Sequence, residues 1–133
     1  HSFMRALPSI LDQRSDAQVV IVGGDDVSYG GRPKEAKNWR EKMLAEVGPL
    51  PERVHFTGRV PYKDYISLMR ISSVHLYLTY PFVLSWSMLD AMAIGCPMIV
   101  SDCPPVRELN SRSEIRDLAE LRARLYLRPG RNW

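Results

Sequence analysis

The chain reads as an α/β protein, a parallel sheet with helices on both faces, and three observations predict it. Short β-branched or aromatic runs near residues 18–23, 53–57, 74–79 and 97–101 have the length of buried strands. The stretches between them place apolar residues at helical spacing. Glycine and proline fall at the boundaries, so strands and helices alternate as they do when crossover helices join parallel strands. With 133 residues, 45% of them hydrophobic and 25% charged, the chain is expected to be one domain with room for a core.

The first segment, His1 to Arg14, opens without a capping residue and spaces Phe3, Leu7, Ile10 and Leu11 as a helix does. Pro8 predicts a kink or a break in it. A start in mid-helix suggests that the first strand of the sheet is missing from this chain. Gln18 to Val22 is a buried strand that ends in Gly23-Gly24-Asp25-Asp26. That turn suits a ligand cleft or a plain strand-to-loop corner. No G-x-G-x-x-G follows, so the dinucleotide fingerprint fails. Val27 to Pro33 is a glycine-rich connector, and Pro33 to Val47 is an amphipathic helix with Trp39, Met43 and Val47 in line. Trp39 is assigned to the core or its edge rather than to ligand stacking. Gly48 and Pro49 stop the helix. The strand VHFT follows, with His55 as a sheet residue, and runs into Gly58-Arg59-Val60-Pro61. Tyr62 to Ile71 is a helix with Tyr65, Leu68 and Met69 inward.

The next stretch organises the rest. Val74 to Thr79 is a strand in which His75 is expected to be packed and hydrogen-bonded, since nothing completes a catalytic triad around it. Tyr80-Pro81 breaks the strand, because proline has no N–H for a ladder. Ser85 or Ser87 then caps a helix running to about Ile94, where Gly95 ends it. Pro97 to Ser101 is the last strand, and Asp102 to Pro105 turns the chain at its carboxyl end. Parallel sheets bind ligands outside the carboxyl ends of their strands. The free N–H groups of Trp86, Ser87 and Met88 at the helix start attract phosphate, and the serine hydroxyls add neutral donors. Asp90, on the first or second turn, is placed to accept bonds from the paired hydroxyls of a ribose. Together these features predict a nucleotide site.

Asp90-Ala91-Met92-Ala93-Ile94-Gly95-Cys96-Pro97-Met98-Ile99-Val100-Ser101 resembles the nucleotide-sugar-binding region of family 4 glycosyltransferases, and PFVLSWSMLDAM looks like a bacterial branch of that family. Val106-Arg107-Glu108 is similar to the family's turn after the last strand. The resemblance covers about residues 1–109, most specifically 82–108. It implies the C-terminal half of a two-domain GT-B enzyme, Rossmann-like, that transfers a hexose with retention and without a bound metal. Ser85, Trp86 and Ser87 would donate to the diphosphate, Asp90 would hold the ribose, and Gly58, Arg59 and Val60 would contact the base. Three departures stand out. The family's second glutamate is Asp90 here, one methylene shorter. The family's spacing puts its first glutamate at Phe82, whose ring cannot serve as a carboxylate for the sugar. The basic pair that holds the diphosphate is not identifiable, Arg5 included.

A formal charge of +3 suits an anionic small ligand. With no basic run interleaved with aromatics, it does not indicate nucleic acid. Peripheral association of the full-length protein with an anionic membrane stays open. Cys96 and Cys103 flank one strand too far apart to bridge, which suggests reduced thiols and a cytoplasmic setting. Ser111 to Leu127 reads as one divergent helix in a tail from 110 to 133. The expected substrate is a UDP-, GDP- or ADP-sugar, with no other cofactor. The acceptor side is assigned to an absent N-terminal domain, so this chain alone is expected to be inactive. A degenerate, non-catalytic nucleotide-binding or interaction module is the alternative. A GT-B-type sugar-nucleotide epimerase is disfavoured, because the 81–87 loop holds no acid or histidine.

Overall fold

A computed structural model describes residues 1–25, 27, 31–78 and 85–107. Helices α1 (Ser2–Gln13), α2 (Trp39–Val47), α3 (Tyr62–Ile71) and α4 (Trp86–Ile94) alternate with strands β1 (Val19–Val22), β2 (Val54–Gly58), β3 (His75–Tyr77) and β4 (Met98–Val100). The strands pair in parallel, β1 with β2 and β3 with β4. The result is a mixed α/β architecture with short parallel strands, of Rossmann-like type. The chain forms two compact units, residues 1–62 and residues from 63 onward.

In the first unit α1 runs unbroken through Pro8, where the sequence predicts a break or kink. Its apolar face buries Leu7 and Leu11, and α2 buries Met43. Arg5 on α1 forms a two-pronged ion pair with Glu46 on α2, which holds the Glu46 carboxyl below its ordinary range. Arg53 donates to the carbonyls of Leu11 and Ser15, both at 2.8 Å, satisfying acceptors at the end of α1. Helix α2 begins at Trp39 rather than at Pro33. The Asn38 side chain accepts from the Glu41 N–H at 2.8 Å, and the Glu41 carboxylate accepts from the Lys37 N–H at 2.9 Å. This variant of the capping box fixes where the helix starts. Trp39 is half-buried, as expected, and its indole N–H donates to the Gly31 carbonyl.

The register of β1 on β2 runs Val19 to Val54, Val20 to His55 and Ile21 to Phe56, then skips Thr57 to set Val22 against Gly58. Gly58 sits at φ 66°, the left-handed conformation that glycine adopts at least cost. This bulge turns the chain just where β2 reaches its carboxyl end.

The second unit is a β–α–β crossover. His75, Leu76 and Tyr77 on β3 face Met98, Ile99 and Val100 on β4. Helix α4 ends in a Schellman closure, with Cys96 N–H to Ala91 carbonyl at 2.9 Å and Gly95 N–H to Met92 carbonyl at 3.1 Å. Gly95 is left-handed at φ 72°, as its place in the sequence predicts. The core gathers Met69, Tyr77, Met88, Ala91, Cys96, Met98, Cys103 and Val106. Both cysteines are free and buried, and burial pushes the Cys96 thiol up, away from its reactive thiolate form. The expected strand end at Thr79, the break at Tyr80-Pro81, the residues Asp26, Phe82 and Glu108, and the tail from 110 to 133 lie outside the described residues.

His75 corrects one expectation. It is half-buried at the start of β3, but its Nε2 has no hydrogen-bond partner among the described residues. Burial lowers its pKa by penalising the charged ring. Near and above the ordinary histidine pKa of about 6.5 the neutral ring fits and full stability is retained. As pH falls through that value the unfolded chain takes up a proton that the folded chain refuses, so stability drops. Melting temperature is therefore expected to fall between about pH 7 and pH 5.5, and less steeply in His75→Leu. An equal slope in the variant would show that other groups set the acid sensitivity.

Candidate functional site

The start of α4 follows from the crossover. A chain leaving the carboxyl end of β3 and returning as a helix presents that helix's N-terminus at the strand ends, where parallel sheets bind ligands. Ser85 is the N-cap residue, extended at φ −89° and ψ 154°. Its hydroxyl does not cap. It lies 2.7 Å from the Ser87 hydroxyl instead, and among the described residues it makes no cap bond to the first turn. A serine in this place ordinarily accepts from the second or third helical N–H, a contact worth about 1 kcal/mol. Here that contact is not made, and the positive end of the helix dipole keeps its donors. The Ser85 N–H itself donates to the Tyr77 phenol at 3.0 Å.

Asp90 falls on the second turn of α4, since the first turn holds no acidic residue. It follows Trp86 by four positions and Ser87 by three, so the three share one side of the helix. Met88 and Ala91 are buried, Asp90 is half-buried, and Trp86 is 81% exposed. The indole therefore does not plug the helix start. Phe82 lies outside the described residues.

Gly58, Arg59 and Val60 belong to the first unit and follow the β2 bulge. Gly23 donates its N–H to the Gly58 carbonyl at 2.9 Å, which sets the ends of β1 and β2 side by side. The Arg59 side chain folds back over Gly24. A Cβ at position 24 would lie 3.1 Å from its Nε, so glycine there makes room for the guanidinium. Asp25 takes an ion pair from Arg40 at 3.2 Å, and Arg40 also stacks on Phe56 at 4.1 Å. The turn from Gly23 to Asp25 thus lies beside candidate residue Arg59.

Downstream of β4, Val106 is buried and Arg107 forms a bidentate pair with Asp102, one arm at 2.6 Å. The guanidinium holds the Asp102 carboxyl below the usual carboxylate range. Neither this clasp nor the Tyr77–Ser85 bond follows from the sequence reading. Asp102 and Arg107 carry a weak signal in their charges, whereas Tyr77 carries none. Among the described residues no three His, Cys, Asp or Glu side chains gather as metal ligands, and no helix is long and apolar enough to cross a membrane.

The family model described as glycosyl transferases group 1 matches residues 1–119, and the chain belongs to that family. The match extends past residue 109, where the motif resemblance ends. No curated protein and no solved structure matches the chain. Membership makes this a glycosyl transfer domain, and the family implies a nucleotide-sugar donor and an acceptor as substrates.

Proposed function

We propose that the chain binds the nucleotide-diphosphate sugar for a retaining, metal-independent hexosyl transfer. One observation carries this reading: the α4 start has a serine N-cap that does not cap, with Asp90 on the second turn of the same helix. Phosphate oxygens take up N–H and hydroxyl donors of that kind, and a carboxylate on the second turn suits ribose hydroxyls. The Ser85, Trp86 and Ser87 donors stabilise the departing diphosphate electrostatically. The family resemblance alone makes Gly58, Arg59 and Val60 candidates for contact with the base, through their backbone. Phe82 occupies the place of a sugar-binding glutamate without its chemistry.

Titration of the purified chain with UDP, GDP and ADP tests the proposal. Saturable binding of one nucleotide in preference to the others is expected. With the acceptor side assigned to a separate N-terminal domain, no sugar transfer by this chain alone is expected, and turnover would overturn that assignment. The second reading, a degenerate module, is favoured by Arg5. Its guanidinium is engaged by Glu46 and so does not replace the family's basic pair. Absence of binding to all three nucleotides would select that reading.

A further inference from the structure

We propose that an apolar groove in the first unit binds an amphiphile with one anionic head and an unbranched hydrocarbon chain, its head at Arg53. Two adjoining cavities, each of about 470 Å³, share Pro49 and Leu50 and form one groove. Leu44, Val54 and Phe56 line one end of it, and Leu11 and Arg53 the other. Mostly apolar walls with a few polar groups, at volumes of this order, are the usual make-up of a small-molecule site. The groove lies where α1 and α2 end and β2 begins, at the far end of β2 from Gly58. An occupant there is separate from the residues assigned to the nucleotide.

The charge of Arg53 selects the head. Its two arms donate to the carbonyls of Ser15 and Leu11, which are neutral acceptors and leave the charge uncancelled. Among the described residues Arg53 has no ion pair, and its buried Nε–H has no partner. Asp16 is taken by Arg14, and Asp12, exposed at the same end of the groove, does not pair with Arg53. A carboxylate head supplies the missing charge together with acceptor oxygens. The backbone selects the chain. Pro8, Pro49 and Pro51 have no N–H to offer. Those of Gly48 and Val54 are spent on the carbonyls of Leu44 and Pro51, each at 3.0 Å. A peptide laid along such walls would bury carbonyls without donors, a cost that a hydrocarbon does not carry.

Calorimetric titration of the whole chain with decanoate, octanoate and decyltrimethylammonium, each below its micelle concentration, tests the proposal. Decanoate is expected to bind saturably and octanoate about tenfold more weakly, since it buries two fewer methylenes. Decyltrimethylammonium keeps the chain and reverses the charge, so it is expected to bind about tenfold more weakly than decanoate. Arg53→Met should bring the two heads within about twofold of each other. Arg70→Met removes the same charge from the exposed surface of the second unit and should leave the preference unchanged. Asp12→Asn, an exposed change, should tighten decanoate about two- to threefold. No saturable decanoate binding, equal binding of the two heads, or no gain from octanoate to decanoate overturns the proposal. Should Arg53→Met not fold, since its arms also close the end of α1, an unchanged decanoate Kd in Asp12→Asn overturns the placement of the head. An apolar peptide ending in a carboxylate that binds where decanoate does not would give the groove to a protein partner and sink the amphiphile.

Discussion

Asp90→Ala is expected to weaken nucleotide binding by about 1.5–3 kcal/mol, roughly 10- to 150-fold in Kd. The reason is local. Asp90 sits on the second turn of α4 with Trp86 and Ser87 on its side of the helix, while Met88 and Ala91 are buried in the core. A carboxylate that accepts from both hydroxyls of a ribose makes two charge-assisted bonds, and these are about twice as strong as neutral ones. Alanine removes both and leaves the helix intact, since alanine is the best helix former. Asp90→Glu, which keeps the carboxylate one methylene further out, is expected to retain most of the binding. A 2′,3′-dideoxy nucleotide closes the cycle: wild type and Asp90→Ala should bind it alike. An equal loss with that ligand would show that Asp90 shapes the helix rather than touching the ribose.

Met88→Ala is expected to cost about 2–5 kcal/mol of folding stability. Met88 is fully buried on α4, in a core cluster with Met69, Tyr77, Met98 and Val106. Its removal leaves a cavity that neighbours fill only partly, and the loss is a large share of a stability of about 5–15 kcal/mol. Met88→Leu conserves volume and should cost less than about 1.5 kcal/mol. Urea unfolding of the three proteins measures both values. A cost below about 1 kcal/mol for Met88→Ala would show that α4 is not seated on this core as described. Because Met88 lies on the first turn of α4, the same cavity is expected to loosen the nucleotide site.

Much of this architecture is legible in the sequence because its signals are local. Tyr62 to Ile71 reads with its observed bounds, and the Gly95-Cys96-Pro97 ending of α4 is visible because only a left-handed residue closes that helix. The start of α2 differs from its expected place at Pro33, although Asn38 and Glu41 three residues apart already spell the cap. There the apolar spacing of Trp39, Met43 and Val47 extends the expected helix beyond its true beginning. Pro8 breaks nothing, because packing of Leu7 and Leu11 carries α1 through a missing N–H. In the candidate site, Ser85, Ser87 and Asp90 stand out by their order on one helix, which any sequence displays. Tyr77 reads only as a strand residue, because a bond to a backbone N–H eight positions on leaves no pattern in the chain. The Arg59 side chain over Gly24 is hidden for the same reason, being a contact between segments 35 residues apart.

The cluster behind α4 is built largely on thioethers: Met69, Met88 and Met98 are buried, and Met92 packs against them. Unbranched sulfur side chains adapt to shape changes that branched aliphatics resist. They are also targets of peroxide, which converts each sulfur into a polar sulfoxide. Damage of that kind would unseat the helix from behind while leaving every ligand-facing group chemically intact.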